Sequence, residues 1–173
     1  MRSVNRIYGR GGNLMRMKTE EVLRMYQKDV FRAAFVICQR REDAEDITQE
    51  TFLKYLMSNR NFDSRQHIKA WLLRTAMNLA KDSVKSSFRK STVPLEDYTE
   101  FPVFQEEKDE ELFAAVMQLA PKYRMVIHLF YYEGYTAEEI GSILHLSAGN
   151  VRMRLTRARE MLRNSLKGES DEH

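Results

Sequence analysis

The stretch TAEEIGSILHLSAGNVRMRLTRARE, residues 136–160, decides how the rest of the chain is read. Thr136 followed three residues later by Glu139 is a capping box, which satisfies two orphan amides at a helix start. Ile140, Ile143 and Leu144 give the short helix it opens an apolar side. After the turn His145-Leu146, Ser147 starts a second helix, predicted to run to about Leu166. At 100° per residue Val151, Leu155, Ala158 and Leu162 fall in one narrow sector, its buried side. Arg152, Arg157, Arg159 and Arg163 point away from that sector, with Thr156 among them and Asn150 and Met153 in the first two turns. Gly141 sits inside the first helix, where two steeply crossing helices need a close approach. Helix, tight turn and basic helix together make a helix-turn-helix. An Arg-rich helical face alone is by default a solvated surface. Combined with the caps and the turn it points to duplex DNA, because a helix fits the major groove while arginines neutralise phosphates. Ser147, Asn150, Arg152, Met153, Thr156 and Arg157 are the candidate DNA contacts.

Upstream, Leu112 to Leu119 reads as a short helix, and Pro121 suits the first position of another that Gly134 closes. Before them, residues 93–111 hold Pro94, Pro102 and a run of carboxylates against Lys108 alone. This is an acidic linker. Its span of about 19 residues reaches roughly 65 Å fully extended and about 25 Å as a coil.

No Gly or Pro lies between Gly12 and Pro94, which favours helices separated by polar turns. Three are expected. The first begins at Thr19 as N-cap and carries Val22, Tyr26, Val30, Ala33 and Ile37 on its apolar side. The second runs from about Arg41 to Met57 and turns Ala44, Ile47, Thr51, Tyr55 and Phe52 inward. Its other side presents Asp46, Gln49, Glu50, Leu53 and Met57. Asp46 and Glu50, four apart, repel by about 0.2–0.5 kcal/mol unless a cation answers them, and Lys54 can answer only Glu50. Carboxylates beside Leu53 and Met57 suit a basic protein partner as well as they suit a solvated face. The turn Ser58 to Ser64 leads into a third helix from near Gln66 to Lys85 or beyond, predicted to bury Ile68, Leu72, Thr75, Ala76 and Leu79. Its outer stripe is Trp71, Arg74, Asn78, Lys81, Lys85 and Arg89. One aromatic, one amide and several cations suit single-stranded nucleic acid, with Trp71 stacking on a base and the cations tracking phosphates. The bland reading of Trp71 is that it closes the edge of the core.

The expected fold class is therefore all-α: two small helical domains, residues 19–92 and 112–168, joined by the acidic linker, with a basic N-terminal extension at 1–18 and a tail at 169–173. Disorder is the default for 1–18, where Met15 and Met17 are plausible alternative starts. The 173 residues carry a formal charge of +3 and a single cysteine, Cys38, so internal disulfides are excluded and zinc spacings are lacking. No apolar window long enough for a membrane span occurs, and a cytoplasmic location without membrane insertion is expected. There is no phosphate-binding glycine loop and no His placed beside a nucleophile, so no enzyme, metal or cofactor is expected.

Four segments, in order, resemble the extracytoplasmic-function (ECF) subfamily of bacterial RNA polymerase sigma factors of the sigma-70 family. Asp43 to Phe52 is similar to its core-binding region 2.2, and Ala70 to Ala80 to the regions that melt and read the promoter's −10 element. Leu119 to Arg124, Tyr131 to Gly134 and Glu138 to Gly141 resemble region 4, and Leu146 to Arg159 its −35 reader. The resemblance implies that Asp46, Gln49 and Glu50 contact a coiled coil on core RNA polymerase. It implies that Asn78 and the turn Asn59 to Gln66, Asn61 included, handle unpaired bases, and that Arg152, Met153, Thr156 and Arg157 face promoter DNA at −35. It further implies a monomer when free, held in some members by an anti-sigma factor. Met77, Gly141 and Met153 depart from the family's usual residues. The rival reading is a helix-turn-helix transcriptional regulator with an N-terminal sensing or dimerisation domain.

Overall fold

The first helix is capped by Lys18, not by Thr19, since the Lys18 carbonyl already accepts from the amides of Glu21 and Val22 and Thr19 lies inside the helix. The structure, a computed structural model, describes residues 15–86 and 107–170. Helix α1 (Thr19–Cys38) ends where Gln39 takes a left-handed conformation (φ 58°) and its amide returns to the Phe35 carbonyl. Helix α2 (Arg41–Met57) follows immediately, with Arg40 ion-paired to Asp43 at 3.6 Å. Helix α3 (Arg65–Ser86) is opened by Ser64, whose hydroxyl accepts from the His67 amide at 3.1 Å.

The three helices pack on one another around Val22, Val30, Ile37, Ala44, Tyr55, Ile68, Leu72 and Met77. All five residues read as the apolar side of α1, and all five of α2, are buried. On α3 the prediction needs correction. Thr75 and Leu79 are only half-buried, whereas Leu73, Met77 and Ala80 are fully enclosed. A single-sector reading assumes one neighbour, and α3 has two in its own unit and touches the second unit as well.

The second unit begins with α4 (Glu107–Gln118), which starts inside the stretch assigned to the linker and five residues before the predicted helix. Helix α5 (Pro121–Ile127) has the predicted proline at its first position and then widens into a π turn over His128–Tyr132. Gly134 follows at φ 72°, a conformation that any side chain would strain. Helices α6 (Ala137–Leu144) and α7 (Ala148–Ser170) complete it. Both pack together, and α4 and α5 lean on α7.

The two units also pack on each other, α5 against α1 and α6 against α3. From Tyr123 to Leu129 every residue is buried, so beyond its first two residues the helix has no solvent side. Arg124 inside that run is 5% exposed and donates to the carbonyls of Val36 and Ile37 at the end of α1, and of Met117 and Leu119 in its own unit. A guanidinium is the one side chain with enough fixed donors to occupy four carbonyls.

Candidate nucleic-acid and polymerase-binding surfaces

Thr136 forms the predicted capping box: its hydroxyl accepts from the Glu139 amide, and the Glu139 carboxylate accepts from the Thr136 amide at 2.9 Å. The turn is made by His145 in the left-handed region (φ 55°) with the Leu146 amide bonded to the Gly141 carbonyl. Gly141 has a more local reason than a helix crossing. A Cβ there would lie 2.6 Å from the Leu146 carbonyl oxygen of the turn itself. Ser147 caps α7 through its hydroxyl, which accepts from the Asn150 amide at 3.1 Å.

Val151, Leu155 and Ala158 are buried and Leu162 is half-buried, as the wheel requires. Ser147, Arg152, Met153, Thr156 and Arg157 all face solvent. Three predicted features differ. Asn150 is half-buried, with its Oδ1 enclosed and unpartnered. Arg152 is ion-paired through one nitrogen to Glu138 of the preceding helix, so part of its charge is answered within the protein. Arg159, counted on the cationic face, lies over the rings of Phe130 and Tyr131 and donates to the Tyr131 hydroxyl at 2.6 Å. It braces the π turn against α7.

On α3, Trp71, Arg74 and Asn78 line an open groove of about 740 Å³. Its facing wall is Lys54, Ser58, Asn59 and Arg60, from the end of α2 and the turn after it, and Thr75, Leu79 and Asp82 complete it. Trp71 is half-buried: one side rests on Phe62 (ring centroids 5.9 Å, edge-on) and Tyr55 (6.1 Å), the other faces the groove. It therefore closes the core edge and offers a stacking face together. Asn61 is exposed but lies outside the groove lining, where Asn59 and Arg60 stand in its place. Lys81 and Lys85 lie on α3 outside the groove lining, and Arg89 lies outside the described residues. Arg74 has no ion-pair partner among the described residues, whereas Lys54 is 3.4 Å from Glu50.

The outer face of α2 is open. Asp46, Gln49 and Glu50 are exposed beside Leu53 (55% exposed) and Met57 (81%), and Leu56, which the sequence reading passed over, joins them at 55%. No cation pairs with Asp46 among the described residues. Three neighbouring large apolar side chains in water beside the unpaired Asp46 carboxylate are more than a solvated face needs.

No group of three or more His, Cys, Asp or Glu residues that could hold a metal occurs among the described residues, and no helix there is long and apolar enough to cross a membrane. Burial pushes the Cys38 thiol up to about 11, so at neutral pH it is protonated and a poor nucleophile.

These surfaces define a class: a two-unit helical protein with a helix-turn-helix on one unit and, on the other, an open groove beside an exposed acidic and apolar helix face. Residues 22–90 match the family model Sigma-70 region 2, and residues 109–162 match Sigma-70, region 4. The RNA polymerase sigma factor SigV of Bacillus subtilis (strain 168) is 30% identical over 82% of this chain and 86% of its own length. The ECF RNA polymerase sigma factor SigM of the same strain is 27% identical over 85% of this chain and 94% of its own. The ECF RNA polymerase sigma factor SigE of Mycolicibacterium smegmatis is 33% identical over 88% of this chain, which spans 63% of that relative's length. Among solved folds, the sigma factor RpoE in complex with the anti-sigma factor NepR from Bartonella quintana superposes with a TM-score of 0.65 at 21% identity, covering 86% of this chain and 96% of that one. The chain belongs to the sigma-70 family of RNA polymerase sigma factors, in its ECF group.

Proposed function

We propose that the chain acts in the cytoplasm, binds core RNA polymerase through the outer face of α2 and directs it to promoters. In this reading α7 enters the major groove at −35 through Ser147, Met153, Thr156 and Arg157, while the Trp71–Arg74–Asn78 groove holds unpaired bases of the −10 strand. The chain performs no bond chemistry in this scheme. Unpairing costs a few kcal/mol per base. A stacked base returns about 1–3 kcal/mol, and phosphate contacts add to it.

The α3 groove carries the proposal. A helix-turn-helix alone suits any duplex-binding regulator. A half-exposed tryptophan facing an amide- and cation-lined wall suits extruded bases, which a regulator of intact duplex does not meet. The solved RpoE is seen with the anti-sigma factor NepR, and CnrH with the cytosolic domain of CnrY, which supports an anti-sigma partner here.

The test is transcription in vitro with core polymerase, this chain and a library of random DNA, followed by mapping of start sites. Initiation at sites sharing two sequence elements is the expected result. Binding of duplex by the chain alone, with no initiation, would establish the regulator reading instead.

A further inference from the structure

We infer that residues 15–17 are a positioning element for the base-capture groove, with Arg16 at its centre; the inference rests on reading that groove as the −10 strand site. The wall opposite Trp71 is the turn after α2, which has no regular structure of its own. What holds it is the segment before α1. The Arg16 guanidinium donates to the carbonyls of Tyr55 and Leu56, each at 3.0 Å, to that of Ser58, and to that of Arg60 at 3.4 Å. It also lies over the Tyr55 ring, 5.3 Å from its centroid. The Tyr55 carbonyl also accepts from the Ser58 hydroxyl at 3.0 Å, and the guanidinium ties all four carbonyls to one rigid fork.

The neighbours of Arg16 act on the same place. Met15 pairs with Phe62 by two backbone hydrogen bonds, its amide to the Phe62 carbonyl at 2.8 Å and the Phe62 amide to its carbonyl at 2.9 Å. The Tyr55 hydroxyl donates to the Met17 carbonyl at 3.0 Å. Phe62 and Tyr55 are the two rings that support Trp71. Residues 15–17 therefore brace the tryptophan through those rings and the opposite wall through the turn carbonyls. Arg16 touches no base in this scheme. It sets the separation of the surfaces that do.

Trp71 is the chain's single tryptophan, so its fluorescence reports the groove directly. The experiment compares the full-length chain with Arg16→Ala and Arg16→Lys in three measurements. These are binding of single-stranded decamers carrying the −10 sequence recovered from the library or one mismatch, acrylamide quenching of Trp71, and co-purification with core polymerase. Both variants are expected to lose about tenfold in preference for the matched over the mismatched decamer and to leave Trp71 more open to quencher, with polymerase binding kept. Lysine does not rescue, because a single ammonium cannot span four carbonyls. Wild-type preference and quenching in Arg16→Ala would overturn the inference. If Arg16→Ala loses polymerase binding, Arg16→Lys decides on the same readouts, and loss of polymerase binding in both makes the segment a general folding requirement and refutes a positioning role. A wild-type chain whose Trp71 emission ignores the matched decamer would sink the groove reading itself, a separate result.

Discussion

Trp71 stands at the boundary between stability and recognition. Its inner edge packs on Phe62 and Tyr55, and its outer face lines the groove. Replacement by alanine removes one stacking surface, so Trp71→Ala should weaken decamer binding by about 1–3 kcal/mol while duplex −35 binding stays unchanged. Fluorescence anisotropy with each DNA separates the two. Trp71→Phe should recover part of the loss, because the ring face rather than the indole N–H meets the base. At Gly141 the relevant quantity is a distance: a Cβ would stand 2.6 Å from the Leu146 carbonyl, a backbone atom that cannot swing aside. Gly141→Ala should cost about 1–3 kcal/mol and lower Tm in a thermal melt, despite alanine's higher helix propensity. A neutral or stabilised variant would show that the turn is softer than its hydrogen bonds imply.

Helix α2 divides its labour between two faces. The inner one is closed by Ala44, Ile47, Thr51 and Tyr55, and the outer one leaves Asp46 without a cation among the described residues. Reversing Asp46 and Glu50 to lysine should abolish co-purification with core polymerase and leave −35 duplex binding intact. Both sites are exposed, so the fold should tolerate the change. Unchanged co-purification would count against this face as the docking site. On α7, exposure alone overstates the cations available, since Arg152 and Arg159 are occupied within the protein. Helical spacing shows which way a side chain leaves its helix. It does not show whether another element has arrived to meet it.

At the scale of the whole molecule the two units are joined by buried charge. Beside Arg124, the Lys69 ammonium lies 3.0 Å from Asp29 and 2.7 Å from Glu133, whose other oxygen is 3.5 Å from His128. Burial disfavours the charge on both partners, but the His128 and Lys69 contacts outweigh it and hold the Glu133 carboxyl below its ordinary range, while Glu133 and Asp29 hold the Lys69 ammonium above its own. A carboxyl with a depressed folded pKa adds stability that is present above its unfolded value, near 4.5, and is lost as pH falls through the folded value. Glu133→Gln should therefore destabilise by about 1–3 kcal/mol at neutral pH, with the gap from wild type closing in denaturant titrations as pH drops below 4.5. The raised Lys69 contribution fades only above the ordinary lysine range and leaves neutral pH unaffected. Arg124→Ala removes a donor from four buried carbonyls, of which Met117's still accepts from Gln39 at 2.6 Å, and should cost about 3 kcal/mol. It should also separate the units, read as a longer distance between one probe on α1 and one on α5.

The sequence by itself determined the order of the helices, the capping box at Thr136, the proline start at Pro121 and the faces of α1, α2 and α7, because each depends on residues three or four apart whose geometry the backbone supplies; it misplaced the cap of α1 and the start of α4. It also determined the family, through short motifs carried on those faces. Only the tertiary structure decided that α3 is covered on several sides, that Arg124 reaches carbonyls 88 residues away at the end of α1, and that Arg16 clamps a turn more than 40 residues downstream. The sole local sign of Arg124 was a cation in an apolar run, and Arg16 sat in a segment whose composition reads as disordered. Partners that distant meet only when whole helices have packed, and no periodicity within one helix encodes the angle at which it meets another.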